Sequence, residues 1–215
     1  MQPTEFPRSW WLAGCLLFAP APLFAITFTN GDLSGSFDTT ISIGGIYRLD
    51  DPDPDLYGTI NGGNANSVNS DDGDLNFNEG WVSQALKVTS ELKLTYGDHL
   101  GFFTRGSWIY DDAVEGADNL RKPLSAEALD RAGNRLDYFD LYGVLRFDAG
   151  DIPIDVRIGR QVLSLGESTF LPNGNNIVNP IDVANFRVPG AELREAFLPV
   201  NMLKVTANLT YNLSV

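Results

Sequence analysis

Apolar and polar side chains alternate along residues 82–110 with the period of two that a β-strand imposes. A three-residue loop, Gly97 to His99, divides this stretch into two arms and keeps apolar positions opposite apolar positions. The pattern predicts a long β-hairpin with one apolar and one charged face. The predicted cross-strand pairs are Tyr96 with Leu100, Leu94 with Phe102, Val88 with Trp108, and Glu91 with Arg105.

Alternation of the same kind predicts further strands on both sides of the hairpin. They are at residues 36–49, 138–147, 154–161 and 202–209, and a last strand begins at Leu213. With the two arms of the hairpin, this makes six to seven strands. In the strand at 138–147, the period places four apolar side chains on one face: Phe139, Leu141, Leu145 and Phe147.

The connections between these strands alternate in length. Residues 50–79, 112–136 and 162–199 form long connections, whereas 97–99 and 148–153 form short turns. Within the second long connection, Ser125 and Gly133 are the expected N-cap and end of a short helix.

Aromatic residues are predicted to gather at both ends of the strands. Those at the long-loop end are Tyr47, Trp81, Trp108, Tyr110 and Tyr138, and those at the turn end are Phe37, Tyr96, Phe102, Phe147 and Tyr211. Long loops on one side, short turns on the other and two aromatic girdles are typical of outer-membrane barrels. We therefore predict an all-β fold, namely an antiparallel transmembrane β-barrel with long external loops.

Two observations concern where the mature chain begins and ends. Arg8, an apolar run from Trp10 to Phe18 and small residues up to Ala25 are typical of a secretory signal at residues 1–25. The remaining residues, 26–215, supply fewer strands than the about eight of the smallest bacterial barrels. We therefore expect them to be the N-terminal part of an incomplete barrel in the cell outer membrane, and Val215 not to be the natural end.

Composition narrows the function classes. The chain has 215 residues and a formal net charge of -13, which argues against a nucleic-acid partner because such binding needs clustered Lys and Arg. The loop at 50–79 is acidic and could hold Ca²⁺ through Asp71, Asp72, Asp74 and Glu79. However, Val68 and Ser70 occupy the first ligand positions of an EF-hand loop. We expect no cofactor.

Catalysis finds little support in the sequence. Residues 166–170 begin like a nucleophile elbow around Ser168, but Phe170 replaces the final Gly. His99 is the one histidine, and it is predicted in a turn at the opposite end of the sheet from Ser168. We therefore predict that the protein is not an enzyme.

Charged side chains on the predicted lumen face are the candidates for solute selection. They are Arg48, Lys87, Glu91, Lys93, Arg105, Arg146, Asp155 and Arg157. The loop at 162–199 is rich in apolar residues and must pack, which suggests that it folds into the barrel mouth. Its candidates for a constriction are Phe170, Ile177, Phe186 and Val188, and simple plugging is the alternative.

Several motifs resemble a porin-like family of Gram-negative outer-membrane β-barrels, a domain-of-unknown-function family of pseudomonads and their relatives. The motifs lie at residues 35–40, 61–63, 71–73, 157–161, 166–170, 179–183 and 187–193. The resemblance implies a transmembrane barrel without established catalytic residues. It also implies an association with lipid or hydrophobe export, beside a periplasmic lipid carrier and an inner-membrane exporter.

These observations favour an outer-membrane channel for small or hydrophobic molecules, surrounded by outer-membrane lipid. Two alternatives stay open. One is a surface adhesin or scaffold, which is a barrel without transport. The other is a soluble secreted β-sandwich that uses residues 50–79 to bind Ca²⁺ or glycans.

Overall fold

The computed structural model describes residues 24–68, 75–116, 121–164, 178–210 and 213–215. The described residues form one antiparallel sheet in which each strand pairs with the next along the chain. The strands are β1 (Phe24–Asn30), β2 (Leu33–Arg48), β3 (Gly80–Tyr96), β4 (Leu100–Asp111), β5 (Asn134–Ala149), β6 (Ile152–Gln161), β7 (Val200–Thr210) and β8 (Leu213–Ser214). The sheet is open, with β1 and β8 at its edges.

The predicted hairpin is confirmed at every predicted pair. In β3 and β4, Tyr96 is opposite Leu100 and Glu91 is opposite Arg105. Leu94 and Val88 are likewise opposite their predicted partners, Phe102 and Trp108. Gly97 begins the turn with a φ of 54°, which a side chain would disfavour. The turn chemistry and the apolar pattern therefore agree on one register.

The number of strands differs from the prediction of six to seven, because the described residues contain eight. The additional strand is β1, which pairs with β2 through a tight turn at Gly31, where φ is 61°. β1 begins at Phe24, inside the segment predicted as a signal, and the apolar residues of that segment obscured its short alternation. Residues 1–23, the rest of the predicted signal, lie outside the described residues.

The predicted shared face of Phe139 and Leu141 is wrong. Thr104 pairs with Leu141 but Gly106 pairs with Tyr138, so one residue of β4, Arg105, faces two residues of β5. This β-bulge shifts the side-chain alternation by one. Phe139 is consequently buried, at 3% exposure, whereas Leu141 is exposed.

The alternation of long and short connections is confirmed. The connections from β2 to β3, β4 to β5 and β6 to β7 are long and share one end of the sheet. The second of them contains the helices α1 (Asp112–Glu115) and α2 (Ala126–Ala132). Ser125 caps α2 as predicted, since its side chain accepts a hydrogen bond of 3.2 Å from the Ala128 amide. In the described residues, no helix has the length and apolar character to cross a membrane.

The two faces of the sheet differ in an unusual way, because the polar face is the buried one. Residues 178–199, which we call the inner segment, lie across this face, and we therefore name it the inner face. Its buried polar residues on the strands are Ser83, Lys87, Thr89, Arg105, Ser107, Asp111, Asp140 and Gln161. The opposite, outer face exposes large apolar residues, among them Ile43, Leu145, Ile158, Leu203 and Val205.

The aromatic residues predicted at the strand ends also belong to the exposed surface. Tyr47, Trp81, Trp108 and Tyr138 are exposed at the long-loop end, whereas Tyr110 is half-buried there. Those at the turn end are Phe37, Tyr96, Phe102 and Phe147. Tyr211 lies outside the described residues.

Candidate functional site

The inner segment is fastened at its two ends by Asn179. Its amide nitrogen donates hydrogen bonds to the carbonyl oxygens of Gln161 (3.4 Å) and Leu198 (3.1 Å), and its Oδ1 accepts one from the Leu163 amide (2.8 Å). A bridge between Ile181 and Phe197 closes the segment into a loop. Because Asn179 is 2% exposed, these bonds form away from water, where unpaired groups would be costly.

The middle of the segment contacts β2 where that strand lacks a side chain. A Cβ placed on Gly44 would lie 2.6 Å from the Cβ of Pro189. Gly190 follows with a φ of 76°, and a Cβ there would lie 3.1 Å from that of Ser42. The sheet and the segment therefore fit closely through a pair of glycines.

A buried ion pair fixes the far part of the segment. Lys87 Nζ on β3 lies 2.6 Å from Glu195 Oε2, and the two side chains are 6% and 4% exposed. Lys87 also donates to the Gly190 carbonyl (2.7 Å), while the Glu192 amide donates to Glu195 Oε2 (3.1 Å). Thr89 Oγ1 lies 3.2 Å from Glu195 Oε1. Each charge thus has partners besides the other, the condition under which a buried pair is tolerated.

Arg105 and Glu91 form ion pairs with other residues and not with each other. Arg105 reaches Asp140 at 2.9 Å across the β5 bulge, and its guanidinium lies 5.0 Å from the centre of the Phe139 ring. Glu91 lies 2.7 Å from Arg194 of the inner segment. Glu91 and Arg105 are therefore opposite each other, as predicted, but each forms its ion pair with a different residue.

Arg194 stays firmly charged in this arrangement. Burial lowers the pKa of Arg194, but its hydrogen bond to Glu192 (2.6 Å) and the charge of Glu91 raise it by more. The net result is a pKa above the ordinary value of arginine.

A second charged group lies on the inner face near the short turns. Asp155 accepts from Arg146 and Arg157, both at 3.2 Å, so one carboxylate bridges two guanidinium groups. Arg157 also stands 5.7 Å from the centre of the Tyr142 ring. Lys204 is directly opposite Arg157 on β7.

The eight predicted lumen residues therefore fall into three places. Lys87, Glu91 and Arg105 lie beneath the inner segment, and Lys93, Arg146, Asp155 and Arg157 lie nearer the turns. Arg48 stands apart at the loop end of β2, where its Nε donates to the Asp50 carbonyl at 2.9 Å.

Of the four residues predicted to form a constriction, the structure describes two. Phe186 is 41% exposed and Val188 is half-buried. Phe170 and Ile177 lie outside the described residues, as does Ser168. The segment is seated by contacts of Asn179 and of its glycine, proline and charged residues.

Sequence reasoning missed the partners on which this site depends. Glu195 and Arg194 lie in an irregular segment that the apolar pattern had defined, and Asp140 lies at the bulge, next to Phe139, whose face changes there. One signal could have pointed to Glu195. Lys87 and Glu91 lie on a covered face of β3, so Lys87 needs an acidic partner and Glu91 needs a basic partner from outside that strand.

A wide cavity of about 850 Å³ lies between the inner segment and the strands at the loop end. Three arginines (Arg131, Arg135, Arg187) and three aspartates (Asp111, Asp137, Asp182) line it, together with apolar residues. Arg135 lies 2.6 Å from Asp137 and donates to Asn185 of the segment. The cavity is thus charged but internally balanced.

The described residues contain no cluster of three His, Cys, Asp or Glu that could hold a metal ion. Of the residues predicted for Ca²⁺, Asp71, Asp72 and Asp74 lie outside the described residues, and the Glu79 amide donates to Asp51 at 3.0 Å. His99 lies in the β3–β4 turn, with its Nδ1 3.1 Å from the Arg146 carbonyl oxygen.

One comparison with known proteins gives a match. The model of a family described as "Protein of unknown function (DUF1302)" matches residues 6–215. No curated protein and no solved structure matches the chain.

Proposed function

The chain belongs to the DUF1302 family of proteins of unknown function, and we propose that its sheet is part of a transmembrane β-barrel in a Gram-negative outer membrane. The barrel would pass small or hydrophobic molecules. The observation that carries this proposal is the inverted burial of the sheet, with a charged, covered inner face and an apolar, exposed outer face.

In water the burial of the two faces of this sheet would be the reverse of the usual arrangement. Antiparallel sheets with one wet face bury their apolar side and expose their polar side. Here Ile43 is 76% exposed while Lys87 and Arg105 are each 5% exposed. Continuous apolar surface of this kind marks a lipid or protein contact. A bilayer supplies the apolar surroundings, and the lumen supplies the polar ones.

Strand length agrees with this environment. β2 has 16 residues and β3 has 17, and β6 is the shortest of the central strands with 10. A tilted strand needs about 9–11 residues to cross a bilayer. The exposed aromatic side chains at both strand ends, such as Trp108 and Phe102, would lie at the two headgroup layers.

The same environment sets a requirement on the edges of the sheet. Unpaired backbone groups in lipid cost several kcal/mol each, so in the membrane β1 and β8 must pair with further strands. The proposal therefore includes closure of the barrel at these edges.

Passage of molecules is favoured over a scaffold without transport by the cavities on the inner face. Two of them, of about 850 and 480 Å³, are lined by different residues of the inner segment. A partnership with a periplasmic lipid carrier and an inner-membrane exporter belongs to the same proposal, and it rests on the resemblance of the sequence motifs.

Fluorescence quenching by brominated lipid tests the membrane assignment. In the chain after Ala25, the tryptophans are Trp81 and Trp108, both exposed on the outer face. In liposomes we expect brominated acyl chains to quench both, read one at a time through Trp81→Phe and Trp108→Phe. Absence of quenching, with extraction of the protein without detergent, would refute the membrane assignment and favour the soluble sandwich.

Conductance in planar bilayers tests passage separately. The protein, reconstituted with its barrel closed at both edges of the sheet, is expected to conduct ions in discrete steps. If brominated lipid quenches its tryptophan fluorescence but the protein never conducts, the protein is a scaffold barrel and not a channel.

A further inference from the structure

A small apolar area interrupts the polar inner face. Phe103 on β4 is directly opposite Tyr142 on β5, and their ring centres are 5.4 Å apart. Their neighbours along the same face, Arg105 and Asp140, are charged. In a lumen of otherwise polar wall, two adjacent aromatic rings need an apolar partner to exclude water.

The inner segment supplies part of that partner but leaves a space. Leu193 and Phe197 face the two rings across a cavity of about 480 Å³, which Leu163 also lines. Six of its ten described lining residues are apolar or aromatic. The volume lies within the roughly 300–1,000 Å³ of small-molecule sites.

The charged groups around this cavity are already paired with one another. Arg105 is held by Asp140 at 2.9 Å. Arg194 is held by Glu91 at 2.7 Å and by Glu192 at 2.6 Å. These two basic and three acidic residues leave no excess positive charge for an anion, and each carboxylate is already bound by an arginine. Entry of an anion would require its desolvation without a free positive charge to pair with it.

We infer that this cavity binds an uncharged, largely apolar molecule with one polar end. The aromatic rings and Leu193 contact its apolar body, and the Ser164 hydroxyl and the Arg105–Asp140 pair border its polar end. The inference rests on the proposed passage function, because it names the class of molecule that the lumen takes.

A matched pair of fluorescent probes tests both the site and the charge rule. 1-N-phenylnaphthylamine is uncharged, and 8-anilinonaphthalene-1-sulfonate carries the same ring system with one negative charge. With the full chain in nonionic detergent, and protein-free micelles subtracted, we expect saturable binding of the neutral probe. It should bind at least about tenfold more tightly than the anionic probe.

Two neighbouring phenylalanines of β4 provide the variant and its control. Phe103→Ser removes a wall of the cavity and should weaken binding of the neutral probe at least about tenfold, as loss of a central aromatic contact does. Phe102→Ser changes the same residue type on the outer face, where Phe102 is 37% exposed, and should leave binding unchanged. Leu193→Asp, at a residue 52% exposed in the inner segment, gives a second test that does not alter the sheet.

The outcomes separate this inference from the proposed function. A chain that conducts but shows no saturable probe binding would overturn the inference alone, as would equal binding by Phe103→Ser and wild type. Tighter binding of the anionic probe would overturn the charge rule. Probe binding by a closed barrel that never conducts would refute passage and leave the binding site in place.

Discussion

Glu91 and Arg105 are directly opposite each other on β3 and β4, yet each forms its ion pair with a different residue. Arg105 reaches Asp140, which lies at the β5 bulge opposite it, and Glu91 reaches Arg194 of the inner segment. Strand pairing therefore places the charges, whereas the bulge and the inserted loop select their partners. Charged residues of the sheet hold the inner segment in place, so substitutions of these charges can test how the segment is attached.

The Lys87–Glu195 pair should be the strongest single attachment of the inner segment. Glu195→Gln leaves the buried Lys87 ammonium without its counter-charge, a change that costs about 3–5 kcal/mol in buried pairs. We expect the segment to detach more often and trypsin to cut faster after Arg187, which is exposed. Cleavage is followed by mass spectrometry of the protein in detergent.

Two further variants distinguish charge from bulk in this test. Lys87→Met combined with Glu195→Gln removes both charges and should restore most of the protection. Glu192→Gln alters a half-exposed pair with Arg194 and should change cleavage little, since such pairs contribute about 0–1 kcal/mol. Equal cleavage of Glu195→Gln and Glu192→Gln would contradict the role of the buried pair.

Gly44 is expected to tolerate no side chain while the segment is seated. The Cβ of Gly44→Ala would lie 2.6 Å from Pro189 Cβ, so Pro189 must move. Overpacking of this kind costs about 1–3 kcal/mol, and we predict faster hydrogen exchange at the Ala191 amide, which bonds the Val188 carbonyl. Gly143→Ala is the control, because its nearest atom beyond the chain neighbours is 3.9 Å away. Unchanged exchange in Gly44→Ala would mean that Pro189 does not seat the segment.

The sequence was sufficient to predict the strands and the hairpin register, because the period of two extends over many residues and a slip would reverse both faces. It was insufficient at β5, since one extra residue at Phe139 and Asp140 breaks the period without a glycine or proline to mark it. It also missed β1, whose seven residues follow the apolar run of the predicted signal.

The candidate site was predictable only in part for a related reason. Alternation places Lys87, Glu91 and Arg105 on the inner face, and the structure confirms this placement. Their partners Glu195 and Arg194 come from a segment without period, about 100 residues further along the chain. Nothing local in the sequence specifies such a contact, because it depends on the three-dimensional path of the loop.

A charge placed on the outer face should separate a lipid environment from an aqueous one. Ile158 is 64% exposed in the middle of β6. In water Ile158→Arg should change stability by less than about 0.5 kcal/mol, whereas at the bilayer midplane it should cost about 2–4 kcal/mol. We predict the larger loss, measured as the shift of the urea unfolding midpoint in liposomes. Val68→Arg, at a loop residue 93% exposed, should have no effect. Equal midpoints for both variants would place Ile158 in water.

The lumen near the short turns should prefer anions in conductance. Its inner face carries four basic residues, Lys93, Arg146, Arg157 and Lys204, against three acidic residues, Asp38, Asp148 and Asp155, which gives a local charge of +1. The aspartates of the neighbouring turns lie in bulk water, where salt screens charges beyond about 8 Å. Side-chain charges that line a pore set its ion preference. The reversal potential in a KCl gradient should therefore show higher permeability to chloride than to potassium.

Two lysines allow this preference to be altered without disturbing an ion pair. Lys93 and Lys204 have no ion-pair partner among the described residues, whereas Arg146 and Arg157 share Asp155. Lys93→Gln with Lys204→Gln should reduce the ratio of chloride to potassium permeability at least about twofold. Arg160→Gln removes a positive charge from the outer face and should leave the ratio unchanged. If the double variant keeps the wild-type ratio, or if the wild type prefers potassium, the basic group does not set the selectivity of the lumen.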